Sequence, residues 1–512
     1  MNAQTKKLLK SIAELATCNP FSPKRFELER KILGKQSEEL DAIAWHRNHG
    51  IAETDEGDRP NVIQLTRLAG EVVDAVTEDG ELPVEMVRDY WAVATYLLLY
   101  RHITPLNRVA ITESKSRRKV QGVWESFWNQ YQRVFGIGGP FVIDKPSAAH
   151  LFACLLQIHR AFFNIFSNIL GSSQPIALLR QQVWDSIFTC CPYRYHDSMY
   201  GRMRDLSTLI TGPSGTGKEL VARAIGLSQY IPFDPETGRF GCESENLFLP
   251  LNLSALSPTL IESELFGHRK GSFTGAVVDR VGWLESCGSS AAVFLDEIGE
   301  LIPELQVKLL RVLQQRTYTR LGDTTERTFQ GKIIAATNRD IEKEIASGRF
   351  REDFYFRICS DRIRTPSLKE QLDDRPTDLL WLIESILRKQ VAAGQIAELG
   401  ALVSAWIKNN LAPNYPWHGN IRELEQCVHS FLIRGQYVPL ELGADSAKSV
   451  EMPRWLEPVA LGEITAEELL SRYCTFVYSK HGSYEKTAQV LKLDRRTVKA
   501  KIDQPLLQQL CD

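Results

Sequence analysis

The feature that most constrains the fold is a glycine-rich stretch, Gly212-Pro-Ser-Gly-Thr-Gly-Lys218, hereafter the phosphate loop. Residues 206–211 before it predict a buried strand, and residues 219–228 after it predict a helix. A strand, a glycine-rich turn and a helix N-terminus together offer backbone amides to phosphate groups, while the lysine reaches the outer phosphates. Taken alone, the stretch also fits a plain glycine-rich turn, and Glu219 stands where the general pattern has Ser or Thr.

The patterns along the chain change twice. Residues 1–195 carry helix-period patterns, for example at 84–100 and 123–135. From about residue 207, short apolar strands alternate with helices, as in a parallel sheet covered by helices. Helical patterns return after Pro366 and continue to about Tyr437. The predicted strands are 206–211, 247–251, 292–295 and 332–336.

Composition bounds the class of protein. The 512 residues are 43% hydrophobic and 24% charged, with a net charge of −2, so any nucleic-acid-binding surface must be local. The ten cysteines lack metal-type spacing, which indicates a reducing compartment. The N-terminus shows no signal pattern, and the most apolar stretch, 151–170, contains His159 and Arg160 and predicts a buried helix. We therefore expect a cytoplasmic protein without a membrane span.

An acidic pair ends the third predicted strand. The run Val293-Phe-Leu-Asp-Glu297 delivers Asp296 and Glu297 to the edge where the phosphate loop also lies. Phosphoryl transfer to water needs a carboxylate for the metal and another for the attacking water. The same run also fits a strand end that caps a helix, but its position about 80 residues after the phosphate loop favours the catalytic interpretation.

Residues 267–276, hereafter the Phe-Thr loop, lie between the phosphate loop and the acidic pair. An ATP-hydrolysing core does not by itself need such a loop. Gly271 and Gly275 permit backbone conformations closed to other residues, so the tip can move. Phe273 offers an aromatic anchor to a partner and Thr274 a hydrogen-bonding group. The alternative is a surface turn whose phenylalanine packs into its own core.

The C-terminal tail predicts a helix-turn-helix, with helices at 484–491 and 494–501. Asp494 is the predicted N-cap of the second helix. The predicted core residues are Ala488, Val490, Leu493, Val498 and Ile502. The predicted DNA-contacting residues are Arg495, Arg496, Thr497, Lys499 and Lys501. An ordinary amphipathic helix pair with a solvated basic face remains the local alternative.

The string Gly271-Ser-Phe-Thr-Gly-Ala276 resembles the Gly-Ala-Phe-Thr-Gly-Ala loop of bacterial sigma-54-dependent activators, and Gly-Thr-Gly-Lys-Glu-Leu at the phosphate loop is also typical of them. The resemblance covers about residues 205–435. It implies an AAA+ domain with a helical lid, a Fis-type helix-turn-helix, and a ring, normally a hexamer, that binds ATP and Mg at subunit interfaces. Three departures are Ser272 for alanine, His418 for proline, and about a dozen extra residues at 230–246, which predict a protruding hairpin.

The resemblance also implies roles for single residues. Asp296 would bind Mg, Glu297 would activate water, Asn252 would restrain Glu297, and Arg351 and Arg357 would reach the neighbouring subunit's nucleotide. The implied nucleotide-binding residues are Gly212, Pro213, Ser214, Gly215, Thr216, Gly217, Lys218 and Glu219, with Thr337 and Asn338 as the first sensor and Arg422 as the second. The implied sigma-54 contacts are Gly271, Ser272, Phe273, Thr274, Gly275 and Ala276.

The sequence therefore predicts a multidomain α/β protein with five segments. These are a helical regulatory region (1–195), an α/β ATPase subdomain (196–367), a helical lid (368–440), a linker (441–462) and a helix-turn-helix domain (463–512). The predicted function is an ATP-driven activator that binds double-stranded DNA and remodels sigma-54 RNA polymerase. The alternatives are a DNA-binding regulator whose ATPase does not serve sigma-54, and a remodelling ATPase of the chaperone or helicase type.

Overall fold

The computed structural model describes residues 1–34, 60–111, 117–137, 141–241, 247–440 and 464–511. Their contacts divide the chain into two compact units, Met1–Tyr437 and Val438–Asp512. The predicted linker 441–462 lies outside the described residues, as does Trp45, which the sequence suggests as a core residue. The predicted segment boundaries stay predictions.

Within the described residues of the first unit, nine strands build the sheets. They are β1 (Thr208–Thr211), β2 (Phe233–Asp234), β3 (Arg239–Phe240), β4 (Phe248–Asn252), β5 (Ala292–Asp296), β6 (Thr317–Tyr318), β7 (Arg327–Thr328), β8 (Lys332–Thr337) and β9 (Asp361–Arg364). Five of them form one parallel sheet in the order β4-β5-β8-β1-β9, and β2–β3 and β6–β7 are antiparallel hairpins. Because parallel strands end at one edge, the residues after β1, β5 and β8 meet there.

The four predicted strands are confirmed, each within two residues of its predicted bounds. The central strand β8 is buried along its whole length, and so is most of β5. The edge strand β9 was not predicted, because its Asp-Arg-Ile-Arg sequence places one apolar side chain, Ile363, toward the core.

Helices surround this sheet and form the regions on either side of it along the chain. The first eight are α1 (Ala3–Thr17), α2 (Lys24–Leu33), α3 (Pro60–Asp79), α4 (Val87–Arg101), α5 (Ile103–Ile111), α6 (Arg117–Phe135), α7 (Lys145–Asn168) and α8 (Gln174–Phe188). Those of the α/β part are α9 (Pro192–Arg194), α10 (Lys218–Gly226), α11 (Pro258–Phe266), α12 (Trp283–Ser286), α13 (Pro303–Gln315), α14 (Ile341–Ala346) and α15 (Glu352–Ile358). The remaining ones are α16 (Leu368–Asp374), α17 (Asp378–Leu387), α18 (Ile396–Asn410) and α19 (Asn420–Arg434), and, in the second unit, α20 (Ala466–His481), α21 (Tyr484–Leu491), α22 (Arg495–Ala500) and α23 (Gln504–Cys511).

Helix α7 is the central helix of the N-terminal region. It is long and apolar enough to span a membrane, yet 78% of its apolar window is buried in the protein, as predicted for a core helix. Trp91 on α4 and Trp124 on α6 are also buried, and Trp128 is partly buried beside them. These three tryptophans are therefore core residues, as the sequence indicates.

The side chains of α7 also bind the segment that follows α10. Gln157 donates a hydrogen bond to the Ser228 carbonyl at 2.9 Å, and Arg160 donates to the Leu227 carbonyl at 2.6 Å. Asn164 donates to the same Leu227 carbonyl at 3.3 Å. We call these three side chains the α7 clamp. They satisfy carbonyls that a helix end leaves without partners, and they tie the N-terminal region to the helix that begins at the phosphate loop.

The described part of the extra segment, residues 230–241, contains the β2–β3 hairpin, and this hairpin packs against the protein instead of protruding. The Phe233 ring lies 5.0 Å from Trp124 and 4.9 Å from Phe152, so the hairpin packs on α6 and α7. Phe240 stacks on Phe152 at 6.0 Å. Aromatic burial thus fixes the insertion to the N-terminal region.

The second unit contains the predicted helix pair, α21 and α22. Ala488 and Val498 are buried, as predicted, and Leu493 and Ile502 are partly buried. The prediction for Val490 is wrong, because this side chain is 56% exposed. The Asp494 side chain accepts a hydrogen bond from the Arg496 amide at 2.6 Å, which confirms it as the N-cap of α22.

Candidate functional site

The phosphate loop connects β1 to α10 and is packed tightly on both sides. Gly212, Gly215 and Gly217 all have positive φ, of 153°, 75° and 83°. A Cβ at Gly212 would lie 2.1 Å from Thr365 Oγ1, and one at Gly215 would lie 2.2 Å from the carbonyl oxygen of Gly419. These contacts leave no room for a side chain, so Gly212 and Gly215 are required by close approach as well as by conformation, whereas Gly217 is favoured by its conformation alone.

Lys218 begins α10 and folds back over the loop. Its Nζ donates to the carbonyls of Gly212 and Pro213, each at 3.1 Å, and the residue is 7% exposed. Burial lowers the pKa of Lys218, while the nearby carboxylates Glu297 and Asp296 act in the opposite direction. The ammonium group therefore lies where the loop amides and the helix N-terminus converge.

The lid contacts the phosphate loop through the start of α19. The Ile421 amide donates to the Gly215 carbonyl at 3.1 Å, and Asn420 Nδ2 donates to the Ser214 carbonyl at 2.9 Å. Arg422 Nη1 donates to Ser214 Oγ at 3.2 Å. The structure thus brings Arg422 to the loop across about 200 residues of chain.

The acidic pair lies at the end of β5, beside the end of β8. Burial, and then the neighbouring Glu297, raise the pKa of Asp296. Glu297 has a φ of 56°, in the left-handed region that a non-glycine residue adopts at a cost of about 1–3 kcal/mol. Its Oε2 accepts a hydrogen bond from the Asn338 amide at 3.2 Å, just beyond Thr337, the last residue of β8. The carboxylate of Glu297 is therefore oriented by the segment that the sequence indicates as the first sensor.

Asn252 ends β4 opposite Asp296 in the strand register. Its Oδ1 accepts hydrogen bonds from the Ser254 amide at 3.0 Å and the Ser254 hydroxyl at 2.8 Å. The side chain thus lies at the correct sheet edge, with its oxygen bonded to Ser254 and not to Glu297.

The two arginines expected to act on a neighbouring subunit are exposed; Arg351 precedes α15 and Arg357 lies in its last turn. Arg351 makes a bidentate ion pair with Asp353, with N–O distances of 3.0 and 2.8 Å. The Arg357 guanidinium has no hydrogen-bond or ion-pair partner within the part of the chain that the structure describes. Neither arginine lines the cleft described below, so the structure does not bring them to the phosphate loop of their own chain.

A cleft of about 240 Å³ opens between the phosphate loop and the lid. Lys218, Asp296, Glu297 and Arg422 lie on its polar side. Its apolar side is formed by Ile169, Leu170, Ile176, Leu179, Leu382 and Ile421. A charged end and an apolar end suit a ligand that joins phosphates to a flat ring system.

The sequence motifs do not reveal the part of the apolar wall that comes from residues 169–179. Asp378 of α17 holds this segment, since its carboxylate accepts hydrogen bonds from the Ser172 and Ser173 amides at 2.5 and 3.0 Å. Buried Arg180 donates to the carbonyls of Ile169 and Gly171. No local sequence signal marks this contact, because its partners lie about 200 residues away.

The Phe-Thr loop is closed by its own backbone. The Gly271 amide donates to the Ala276 carbonyl at 2.8 Å, and the Ala276 amide donates to the Phe273 carbonyl at 3.0 Å. Phe273 is partly buried, with its ring edge-on to His268 at 5.0 Å, and Thr274 is exposed. The tip therefore combines one polar exposed residue with an aromatic ring that rests on the base of the loop.

The base of the loop is joined to the segment between β6 and β7. The Arg269 amide donates to the Leu321 carbonyl at 3.0 Å, and the Arg269 guanidinium pairs with Asp279 at 2.7 Å and Asp323 at 3.3 Å. Ser272 packs against Gly322, and its buried hydroxyl has no hydrogen-bond partner among the described residues. The two loops thus form one connected surface.

The predicted DNA-contacting helix, α22, presents a basic face. Arg495, Arg496, Thr497 and Lys499 are exposed, and Arg495 pairs with Glu485 at 3.0 Å. Lys501 is only partly exposed and pairs with Glu467. Four of the five predicted residues therefore lie on an open surface.

Comparison with known proteins identifies the α/β domain. Residues 197–364 match the family described as the sigma-54 interaction domain. The chain is 37% identical over 273 residues to the Nif-specific regulatory protein of Herbaspirillum seropedicae, covering 53% of this chain and 44% of that protein. It is 35% identical over 306 residues to the transcriptional regulatory protein ZraR of Salmonella typhimurium, covering 58% of this chain and 63% of that protein. The chain thus spans about half the length of these curated relatives.

The structure also superimposes on that of NtrX from Brucella abortus in complex with ADP. That match is 22% identical, covers 75% of this chain and 80% of NtrX, and has a TM-score of 0.38, too low to support an argument. The family match confirms the resemblance seen in the sequence. The part of the chain that matches this family, described as the sigma-54 interaction domain, is residues 197–364.

Proposed function

We propose that this protein is a transcription activator that hydrolyses ATP and uses the energy to remodel sigma-54 RNA polymerase from a DNA site upstream of the promoter. The observation that carries the proposal is the joint geometry of one domain. The lid, the phosphate loop and the acidic pair line a single cleft, and the Phe-Thr loop rises from the same α/β domain. The match to the sigma-54 interaction domain covers the phosphate loop, the Phe-Thr loop and the acidic pair.

The cleft supports ATP as its ligand. The loop amides, Lys218 and Arg422 would hold the phosphates, and the apolar wall that includes Ile169 and Leu382 would receive the adenine ring. Glu219 also lines the cleft, and its exposed side chain pairs with Arg223 at 3.5 Å.

The carboxylates also fit Mg. Asp296 is partly buried beside Glu297, and burial followed by the charge of Glu297 raises the pKa of Asp296, while Lys218 acts in the opposite direction. Oxygen ligands and excess negative charge are what this hard cation prefers. When bound with ATP, Mg would neutralise charge that develops on the phosphates, and Asp296 would hold it.

Glu297 is the proposed general base. Its carboxylate is held by the Asn338 amide and so can accept a proton from a water that attacks the outer phosphate. Asn252 lies at the same sheet edge, and its Nδ2 group, the donor of the amide, would restrain Glu297 while Oδ1 accepts from Ser254. Thr337 and Asn338 then couple the end of β8 to the state of the nucleotide.

Arg351 and Arg357 would act in trans. Both are exposed and remote from the cleft of their own chain, as expected for groups offered to a neighbouring subunit. An arginine supplied by a neighbour stabilises transition-state charge and makes turnover depend on assembly. A head-to-tail interface of this kind closes into a ring, and we propose a hexamer.

The Phe-Thr loop is the proposed sigma-54 contact. Residues 271–276 form a compact tip whose Phe273 ring rests on His268, while Gly271 and Gly275 have open space around them. A change of nucleotide state at the acidic pair would be transmitted through α11, which connects the end of β4 to this loop. Release of the Phe273 ring from His268 would then expose an aromatic anchor.

The second unit is the proposed DNA-binding domain. Arg495, Arg496, Thr497 and Lys499 form an open basic face on α22, the second helix of the pair. Such a helix fits a major groove, with basic residues on phosphates and base edges. Activity of this kind belongs in the cytoplasm.

The deciding experiment measures binding of purified sigma-54 in the presence of ADP with a γ-phosphate transition-state mimic. The wild-type protein should bind only with that mimic, and Phe273→Ala should lose binding while its ATPase rate stays within about twofold. Val307→Ala is the control, because Val307 is an exposed apolar side chain on α13 of the same domain and lies outside the Phe-Thr loop. Normal ATP turnover without any sigma-54 complex would favour the regulator that does not serve sigma-54, for which Ser272 is the sequence signal.

A further inference from the structure

The last residue of helix α7 lies in the wall of the cleft between the phosphate loop and the lid. Helix α7 runs from Lys145 to Asn168, and most of the buried side chains in its first half belong to the core of the N-terminal region. Asn168 is half-buried and lines the cleft next to the apolar residues Ile169 and Leu170. The N-terminal region therefore contributes a polar side chain to the apolar end of the cleft.

The orientation of the Asn168 amide is fixed by its own helix. Its Nδ2 group donates a hydrogen bond to the Asn164 carbonyl at 2.8 Å, one helical turn earlier. The opposite orientation would place two acceptor oxygens against each other, so Oδ1 is the atom that this contact leaves over. Among the described residues Oδ1 accepts no hydrogen bond, yet it is not closed off from solvent, so a ligand can reach it.

Other oxygens in this part of the wall already have partners or are enclosed. Arg180 donates to the carbonyls of Ile169 and Gly171 at 2.7 and 2.9 Å. Gln371 is a second amide side chain in the cleft wall, but its Oε1 is closed off from solvent. Asn168 Oδ1 is therefore an acceptor that the apolar end of the cleft can offer to a ligand.

An acceptor at this place distinguishes between purine bases. Adenine carries an amino group at C6, which donates a hydrogen bond, whereas guanine and hypoxanthine carry a carbonyl oxygen there, which accepts one. Opposite Asn168 Oδ1, the amino group forms a hydrogen bond, but the carbonyl oxygen leaves two acceptors facing each other. A site that hydrogen-bonds one group rejects the analogue that lacks it, because the polar atom of the site is then left unpaired.

We propose that Asn168 determines the base specificity of the cleft, with Oδ1 accepting a hydrogen bond from the C6 amino group of adenine. The inference rests on the proposed function, because it takes ATP as the ligand of the cleft. The base packs against the apolar wall at Ile169 and Leu382, and the loop amides and Lys218 hold the phosphates. Asn164, whose carbonyl orients Asn168, is also a member of the α7 clamp. Selection between purines thus lies with a helix of the N-terminal region and not with the phosphate loop.

The test compares two nucleotides that differ at C6, in equilibrium titrations of the full chain with Mg omitted to prevent turnover. ATP carries the amino group, and ITP carries the carbonyl oxygen. The wild-type protein should bind ATP at least about tenfold more tightly than ITP. Asn168→Leu should bind ATP at least about fivefold more weakly and should bring the two affinities to within about threefold of each other. A purely structural defect would weaken both nucleotides alike and would leave their ratio unchanged.

Asn410→Leu is the matched control. Asn410 is the exposed last residue of α18, and its Nδ2 donates to the Trp406 carbonyl at 2.8 Å, so it repeats the helix-end contact of Asn168 at a place outside the cleft. This variant should keep the ATP preference of the wild type, because it removes only the helix-end hydrogen bond.

The outcomes separate this inference from the rest of the proposed function. An ATP preference that Asn168→Leu removes and Asn410→Leu keeps would support the assignment even if sigma-54 failed to bind. Equal affinity of the wild type for ATP and ITP, a preference that survives in Asn168→Leu, or one that is lost in both variants would overturn it. Absence of ATP binding to the wild type would refute both the assignment and the proposed function.

Discussion

The phosphate loop and the Phe-Thr loop are both bounded by glycines with positive φ, but the glycines have different reasons to be there. A Cβ at Gly212 or Gly215 would collide with Thr365 or Gly419, whereas a Cβ at Gly271 or Gly275 would meet nothing within 4 Å. In the phosphate loop, glycine allows close packing against β9 and the lid. In the Phe-Thr loop, it allows only a conformation, and the surrounding space stays open.

This difference separates a loop that must hold its shape from one that has room to change it. The phosphate loop is fixed by hydrogen bonds from Asn420, Ile421 and Arg422, which come from another subdomain. The tip of the Phe-Thr loop is held by its own backbone, by the ring contact between Phe273 and His268, and by the packing of Ser272 against Gly322. Few external contacts mean a low free energy of local rearrangement.

The largest expected effect is on ATP turnover, at the cleft that contains the phosphate loop. Glu297→Gln should keep ATP affinity within about threefold but lower turnover at least about 100-fold, because a general base contributes about 10²–10⁴-fold. Single-turnover hydrolysis and ATP binding measure the two quantities. Glu304→Gln, an exposed carboxylate on α13, serves as the control and should retain full turnover. Turnover by Glu297→Gln within tenfold of wild type would remove Glu297 from the catalytic role.

Gly215→Ala should give the next largest effect. The new methyl group would push against the Gly419 carbonyl and would require a non-glycine residue at a φ of 75°. Overpacking of this kind costs about 1–3 kcal/mol, so the lid should separate from the loop and ATP affinity should fall at least about tenfold. Titration with a fluorescent ATP analogue measures the change. An affinity equal to that of wild type would mean that the lid contact does not shape the cleft.

Gly275→Ala is the matched change in the open loop. Its Cβ meets no atom, so the cost is conformational, about 1–2 kcal/mol at a φ of 103°, and is confined to the tip. ATP affinity and ATPase rate should stay within about twofold, while sigma-54 binding should weaken severalfold. A loss of ATP affinity as large as that of Gly215→Ala would contradict the proposed independence of the two loops.

Ser272→Ala should have the smallest effect. The Ser272 hydroxyl is buried without a partner among the described residues, so its removal abolishes no hydrogen bond there. The Tm should stay the same or rise by about 1–2 °C in a thermal unfolding scan, and sigma-54 binding should persist. A Tm lowered by more than about 3 °C would reveal a structural role for the hydroxyl.

Motifs whose chemistry depends on neighbours in sequence could be predicted well. The phosphate loop follows its strand, the acidic pair ends another, and Asp494 caps α22, because each is fixed by local backbone geometry. The position of Arg422 at the loop needed the family resemblance, since the contact joins residues about 200 positions apart.

Features that depend on tertiary packing could not be predicted from the sequence. Ile169 and Leu179 look like ordinary core residues, and only the fold makes them a wall of the cleft. The hairpin at 233–240 has the sequence of an exposed turn, but its two phenylalanines find partners on α6 and α7. Val490 has the periodicity of a core residue and is nevertheless exposed, because α21 is short and its last turn extends beyond the small core.

The α7 clamp has a consequence for how such a protein can change over time. When a flexible linker joins an N-terminal regulatory region to an ATPase domain, recombination within the linker can replace one regulatory region with another. Here Gln157, Arg160 and Asn164 cover the carbonyls after α10, and α7 and α8 share a core with the sheet. A chimera joined at residue 195 would expose the apolar residues of that core. Residues 1–195 and the ATPase domain must therefore be inherited together and evolve together.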